Sequence, residues 1–78
     1  MKKKLLNFYS EDKSFYLNIL KDQPNNYDAL LKLGLIDVSE SNFINAKKRF
    51  KQLIKIDEKR YEAHLNLSNI FSLEGDVD

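Results

Sequence analysis

Tyr27-Asp28-Ala29-Leu30-Leu31-Lys32-Leu33-Gly34 restarts as Tyr61-Glu62-Ala63-His64-Leu65-Asn66-Leu67-Ser68, 34 residues further on. At that offset Tyr27 meets Tyr61, Asp28 meets Glu62, Ala29 meets Ala63, Leu31 meets Leu65, Leu33 meets Leu67 and Ile36 meets Ile70. Taken backwards, the same offset sets Phe43 on Tyr9, Phe50 on Tyr16, Leu53 on Ile19, Ile54 on Leu20 and Lys55 on Lys21. A fixed period of this size marks a repeat whose units bury their apolar faces on one another. One whole unit runs from Tyr27 to Arg60.

Two helices are predicted inside that unit. Asn25 or Asn26 caps the first of them. Its apolar positions (Tyr27, Leu30, Leu31, Leu33, Leu35, Ile36 and Val38) form a stripe wide enough for neighbours on two sides. Gly34 costs about 1 kcal/mol against alanine in a helix interior, so the close approach of another helix backbone is expected there. Ser39-Glu40-Ser41-Asn42 ends the helix with turn and capping residues, and Asn42 caps the next. Phe43, Ala46, Phe50, Leu53 and Ile54, with Ile56 at the end, are expected to make the buried face of that second helix. Lys47, Lys48, Arg49, Lys51 and Lys55 are expected to point to water. Asp57-Glu58 closes it.

Flanking helices follow on either side. Upstream, Ser10 is the expected N-cap of a helix over about 11–21, with Phe15, Tyr16, Ile19 and Leu20 at helical spacing and Phe8 and Tyr9 extending that face. Gln23-Pro24 stops it, because the residue before proline disfavours the α region. Downstream, a helix is predicted over about 59–73, closed by Gly75. Residues 1–9 form a basic and apolar segment. Val77 falls on Phe43 at the period, so Asp76-Val77-Asp78 would open a further helix, and the chain is expected to be a piece of a longer repeat protein.

The totals exclude several classes. Seventy-eight residues bound the chain to one small domain, and the charge of +1 favours neither nucleic acid nor an acidic partner. There is no cysteine, hence no disulfide or thiolate metal site. Lys2-Lys3-Lys4-Leu5-Leu6 is too short an apolar run for a signal peptide, which needs about 7–15. No stretch approaches the roughly 18 apolar residues of a membrane span. A cytoplasmic protein is expected.

The period and residue types resemble the tetratricopeptide repeat, whose pattern includes W-x2-L-G-x2-Y, then A-x3-F, then P. The corresponding residues are Leu30-x2-Leu33-Gly34-x2-Asp37 and Ala46-x3-Phe50, then His64-x2-Leu67-Ser68-x2-Phe71. In the earlier half copy they are Asp12-x3-Tyr16, with Pro24 at the proline place. Gly75 matches a frequent glycine before the second helix, where the full copy has Ser41. Asp37, Asp12, Ser68 and Glu58 depart from the usual aromatic, alanine, glycine and proline, and each is expected to loosen local packing. The resemblance implies an all-α fold of antiparallel helix-turn-helix repeats, a segment of four helices of a right-handed superhelix. Within it, 10–24 is the second helix of one repeat, 27–60 a complete repeat, and 61–75 the first helix of the next.

Catalysis finds no residues. One histidine and no cysteine leave no metal site, and His64 is expected to be a packed or rim side chain. Ser39, Ser41 and Ser68 have no partner base, and no phosphate loop is present. No cofactor is expected. The basic helix face lacks an interleaved aromatic platform, so nucleic acid is disfavoured.

The resemblance therefore implies a non-catalytic protein-interaction scaffold. First helices of such repeats line a concave groove that takes a peptide or protein. The groove candidates are Asp28, Leu31, Lys32, Leu35 and Val38, with Glu62, Leu65, Asn66, Asn69 and Ser72 on the following copy. Asp28 and Glu62 would repel a carboxylate, which argues against a clamp for acidic C-terminal tails. Two alternatives stand beside this. In one the repeats serve an enzyme encoded further along the same chain, positioning its substrate or mediating oligomerisation. In the other the chain is a self-associating structural module joined through its apolar last helix.

Overall fold

The computed structural model describes residues 13–75. It contains four helices: α1 over residues 13–22, α2 over Tyr27–Ser39, α3 over Phe43–Ile56 and α4 over Tyr61–Leu73. No strand occurs among the described residues. The N-terminal segment, the Ser10 cap, the start of the first helix and Val77 lie outside them.

Local chemistry sets the helix ends. Asn26 is the N-cap of α2, its Oδ1 accepting from the Ala29 N–H at 2.9 Å. This satisfies one of the donors that a helix start leaves free. At the other end, the Ser41 N–H donates to Val38 O at 2.9 Å and the Asn42 N–H donates to Asp37 O at 2.7 Å. That pair of bonds is the Schellman closure, which needs a left-handed residue at its turn. Ser41 supplies it with φ 61°, and 34 residues later Gly75 does so with φ 70°. The glycine expected before the second helix is thus a backbone requirement at both places.

Two boundaries differ from expectation. Asn42 stands at the N-cap of α3 but makes no side-chain cap bond. Helix α4 begins at Tyr61, because Glu58 and Lys59 form a turn anchored by Asp57, whose Oδ1 accepts from the Lys59 N–H at 3.2 Å.

The helices pack in sequence order, α2 on α3 and α3 on α4. Arg49 meets Asp37 near the end of α2 while Gln52, further along α3, meets Pro24 before the start of α2, so α3 runs back along α2. Glu74 at the end of α4 meets Lys47 in the first half of α3, so α4 runs back along α3 and points the same way as α2. Leu30, Ala46, Phe50, Leu53, Ala63 and Ile70 form the central cluster. Burial of its four large side chains, Leu30, Phe50, Leu53 and Ile70, contributes roughly 1.5–3 kcal/mol each. Helix α2 is buried on two flanks, as its wide stripe predicts. Leu30, Gly34 and Asp37 lie on the flank facing α3. Ala29, Leu33 and Ile36 lie on the flank that corresponds, one period on, to Ala63, Leu67 and Ile70 of α4, which meet α3.

Gly34 is explained differently from the sequence expectation. The atom group that approaches it is the ring of Phe50, not a helix backbone. A Cβ at Gly34 would come within 2.6 Å of Phe50 Cζ and 2.8 Å of Cε1. Phe50 is itself fully buried, so its ring has nowhere to swing.

Asp37 and Arg49 also correct the sequence reading. Arg49 does not point to water; its Nε donates to Asp37 Oδ2 at 2.8 Å. Asp37 is only 1% exposed and does not loosen the packing but joins α2 to α3. Its second oxygen, Oδ1, is buried without a partner.

The repeat is visible in the ion pairs. Lys13 Nζ bonds Glu40 at 2.9 Å, and Lys47 Nζ bonds Glu74 at 3.0 Å. Both members of the second pair lie 34 residues after those of the first. Each joins a helix to the C-cap residue of the helix that follows it.

Candidate functional site

The groove candidates sit on the parallel helices α2 and α4. Their N-terminal ends are tied together by Tyr27, whose hydroxyl donates to Glu62 Oε1 at 3.4 Å. The Arg60 guanidinium lies over the Tyr27 ring, 4.3 Å from its centroid. This stacking places a cation against the ring's negative face. Burial, then the neighbouring Glu62 carboxylate, raises the Tyr27 phenol above its ordinary pKa. The hydroxyl therefore stays a proton donor to Glu62 through the neutral range.

The other candidates divide by exposure. Asp28, Lys32, Asn69 and Ser72 are exposed, as are Leu35 at 42% and Leu65 at 53%. Leu31 and Val38 are half-buried and pack against the central cluster, so part of each is structural. Asn66 is half-buried, and its Nδ2 donates to the Glu62 carbonyl at 2.9 Å. That bond takes up one amide donor and leaves Asn69 as the freer carboxamide of the two. An exposed surface carrying Leu35, Leu65 and Asn69 offers apolar contact beside a group that can both donate and accept.

His64 is neither packed nor paired with a carboxylate. It is exposed, and its Nε2 lies 3.2 Å from the Glu58 carbonyl oxygen. Among the described residues, no group of three or more His, Asp or Glu side chains is placed to hold a metal ion. No helix of the described residues is long and apolar enough to cross a membrane.

The basic face of α3 is narrower than the sequence suggests. Arg49 is committed to Asp37, while Lys47 bonds Glu74 and lies 5.5 Å from the Phe71 ring centroid. What remains is an open cavity of about 330 Å³ lined by Lys48, Lys51, Gln52 and Lys55. Gln52 spends its amide elsewhere, donating to Pro24 O at 3.3 Å and to Asn25 Oδ1 at 3.1 Å.

Sequence reasoning missed the residues that join repeat to repeat, namely the Lys13–Glu40 and Lys47–Glu74 pairs. Their signal was present, since the period that aligns the leucines also aligns these charges. No family model matches the sequence, and no solved structure matches the fold.

Proposed function

We propose that this chain is a non-catalytic interaction scaffold of tetratricopeptide-like repeats, working in the cytoplasm and binding an extended peptide or protein segment across α2 and α4. The observation that carries the reading is the exposure of Leu35, Leu65 and Asn69 on two parallel helices whose N-terminal ends are locked by Tyr27, Glu62 and Arg60. A solenoid offers its ligand a surface that is already formed, which lowers the ordering cost of binding. The right-handed superhelical reading draws support from features that recur at the period: the ion pairs, the left-handed turn residues and the buried flanks of α2 and α4.

The test is a panel of immobilised peptides, apolar and neutral or basic, probed with wild type and with a Leu35→Glu, Leu65→Glu, Asn69→Ala variant. Helicity is checked by circular dichroism. Loss of binding in a folded variant supports the groove. A folded variant that binds the same peptides equally well refutes it. Binding confined to peptides with a free acidic C-terminus, and lost on amidation, would replace the reading with a carboxylate clamp.

A further inference from the structure

Helix α3 carries five cations and no carboxylate. Two of the five reach neighbouring helices and meet a carboxylate there: Arg49 meets Asp37 of α2, and Lys47 meets Glu74 at the end of α4. The other three, Lys48, Lys51 and Lys55, are exposed and pair with no carboxylate among the described residues. Where α3 faces its own chain its charge is matched, and where it faces outward the match is missing. We propose that this outward row is a second binding surface, and that it takes an acidic helix of a partner protein.

The row stays outward when the repeat continues. Ser14, Leu17 and Lys21 of α1 lie one period before Lys48, Lys51 and Lys55. All three are exposed although a full hairpin follows them. A further hairpin after α4 leaves the row on α3 open in the same way.

The spacing of the row describes a rod. Lys48, Lys51 and Lys55 stand at i, i+3 and i+7 along one edge of α3, in steps of about 4.5 Å and about 6 Å along the axis. Carboxylates at the same intervals on a second helix repeat those steps. In an extended strand, side chains on one face recur about every 6.6 Å, which falls about 3 Å out of step over the row.

Among these lysines lies the open cavity of about 330 Å³. Gln52 also lines it, but its Nε2 already donates to Pro24 O and Asn25 Oδ1. The side-chain donors left to the cavity are three ammonium groups, which cannot accept and so select anions. A glutamate side chain laid beside the lysine stems brings its carboxylate to the ammonium rim. Ile44 extends the row by one turn, four residues before Lys48, and is 68% exposed. The partner helix is thus expected to carry an apolar residue one turn beyond its acidic triad.

Other anionic partners fit less well. Of the aromatic residues of α3, Phe50 is buried and Phe43 half-buried, so no exposed ring is there to stack on a base. The cations stand in single file, with Glu58 exposed in the turn just past them, whereas a lipid surface meets a plane. The row lies on α3 and does not depend on the groove proposed above, whose residues belong to α2 and α4.

The experiment titrates the full chain, up to about 1 mM, into fluorescent helix-forming peptides and reads anisotropy. One peptide carries three glutamates and a leucine at the spacing of Lys48, Lys51, Lys55 and Ile44, and a second carries them in reversed order, to allow either direction of docking. The controls are a peptide of the same composition with its glutamates spread around the helix, a single-stranded oligouridylate, and phosphatidylserine vesicles. Three exposed ion pairs together contribute about a tenfold change in affinity. The better of the two ordered peptides is therefore expected to bind about tenfold more tightly than the scattered one and than either other anion. Raising the salt from about 0.05 M to about 0.5 M is expected to weaken it. The triple variant Lys48→Glu, Lys51→Glu, Lys55→Glu, its helicity checked by circular dichroism, is expected to lose that peptide and to gain the version in which lysines replace the glutamates. Should the variant lose helicity, Lys48→Gln, Lys51→Gln, Lys55→Gln takes its place and is expected to lose the acidic peptide. No binding by wild type up to about 1 mM, equal binding of the scattered peptide, or a folded variant that still binds the acidic peptide as tightly overturns the proposal. Tighter binding of the oligouridylate or of the vesicles overturns it too, and gives the row to nucleic acid or to a membrane surface.

Discussion

Replacing Arg49 by leucine tests what holds α2 against α3. Asp37 is 1% exposed and has one bonded oxygen, to Arg49 at 2.8 Å. Without the guanidinium, a buried carboxylate keeps its desolvation cost and loses its partner. Breaking such a pair costs roughly 3–5 kcal/mol. The Arg49 side chain retains 21% exposure, which lets water reach the site, so a loss near the lower end, about 3 kcal/mol, is expected. Against the roughly 0.05–0.15 kcal/mol per residue that domains typically hold, this is a large share of the total. The double variant Asp37→Leu, Arg49→Leu removes both charges and the unpartnered Oδ1 together, and should recover to within about 1 kcal/mol of wild type. Urea unfolding followed by far-ultraviolet circular dichroism, analysed as a double-mutant cycle, measures the coupling. An Arg49→Leu protein within about 1 kcal/mol of wild type, or strictly additive single effects, would refute the reasoning.

Two further outcomes are expected. Gly34→Ala gains about 1 kcal/mol of helix propensity but drives a methyl group into the Phe50 ring, an overpacking that costs about 1–3 kcal/mol, so the unfolding midpoint should fall. Made in a Phe50→Leu background, where the ring is gone, the same change should be neutral or stabilising; equal stabilisation in both backgrounds sinks the idea. Ser41→Gly removes the Cβ from a residue at φ 61° and should stabilise the α2–α3 turn by about 0.5–1 kcal/mol, and an unchanged midpoint would show that the serine bears no strain there.

The helices and the core were legible because both follow from local spacing. Apolar residues at helical intervals, Pro24 and the Asn26 cap fix α2 and α3 almost to the residue, and the period carries that pattern to α4. Polar side chains that choose partners across a hairpin were not legible in the same way. Arg49 lies among lysines that face water, and nothing in its neighbours distinguishes it; only the approach of α2 presents Asp37 to it. Gly34 was read correctly as a point of close contact, but its partner depends on the Phe50 rotamer. The groove candidates could be placed on helices from sequence, yet not sorted, because exposure of Leu35 and half-burial of Leu31 depend on how α2 leans on its neighbours.

The packing of each helix on its neighbours in sequence also governs how the molecule comes into being. Partners such as Asp37 and Arg49, or Lys47 and Glu74, are separated by one hairpin at most. Little loop entropy has to be spent before contacts repay it, so folding should fall in the microsecond-to-millisecond class of local helical topologies. During synthesis, α2 and α3 can pair once Ile56 has left the ribosome, with no need for the residues that follow. The finished chain should open in the reverse sense, with α4 able to detach while the α2·α3 hairpin persists.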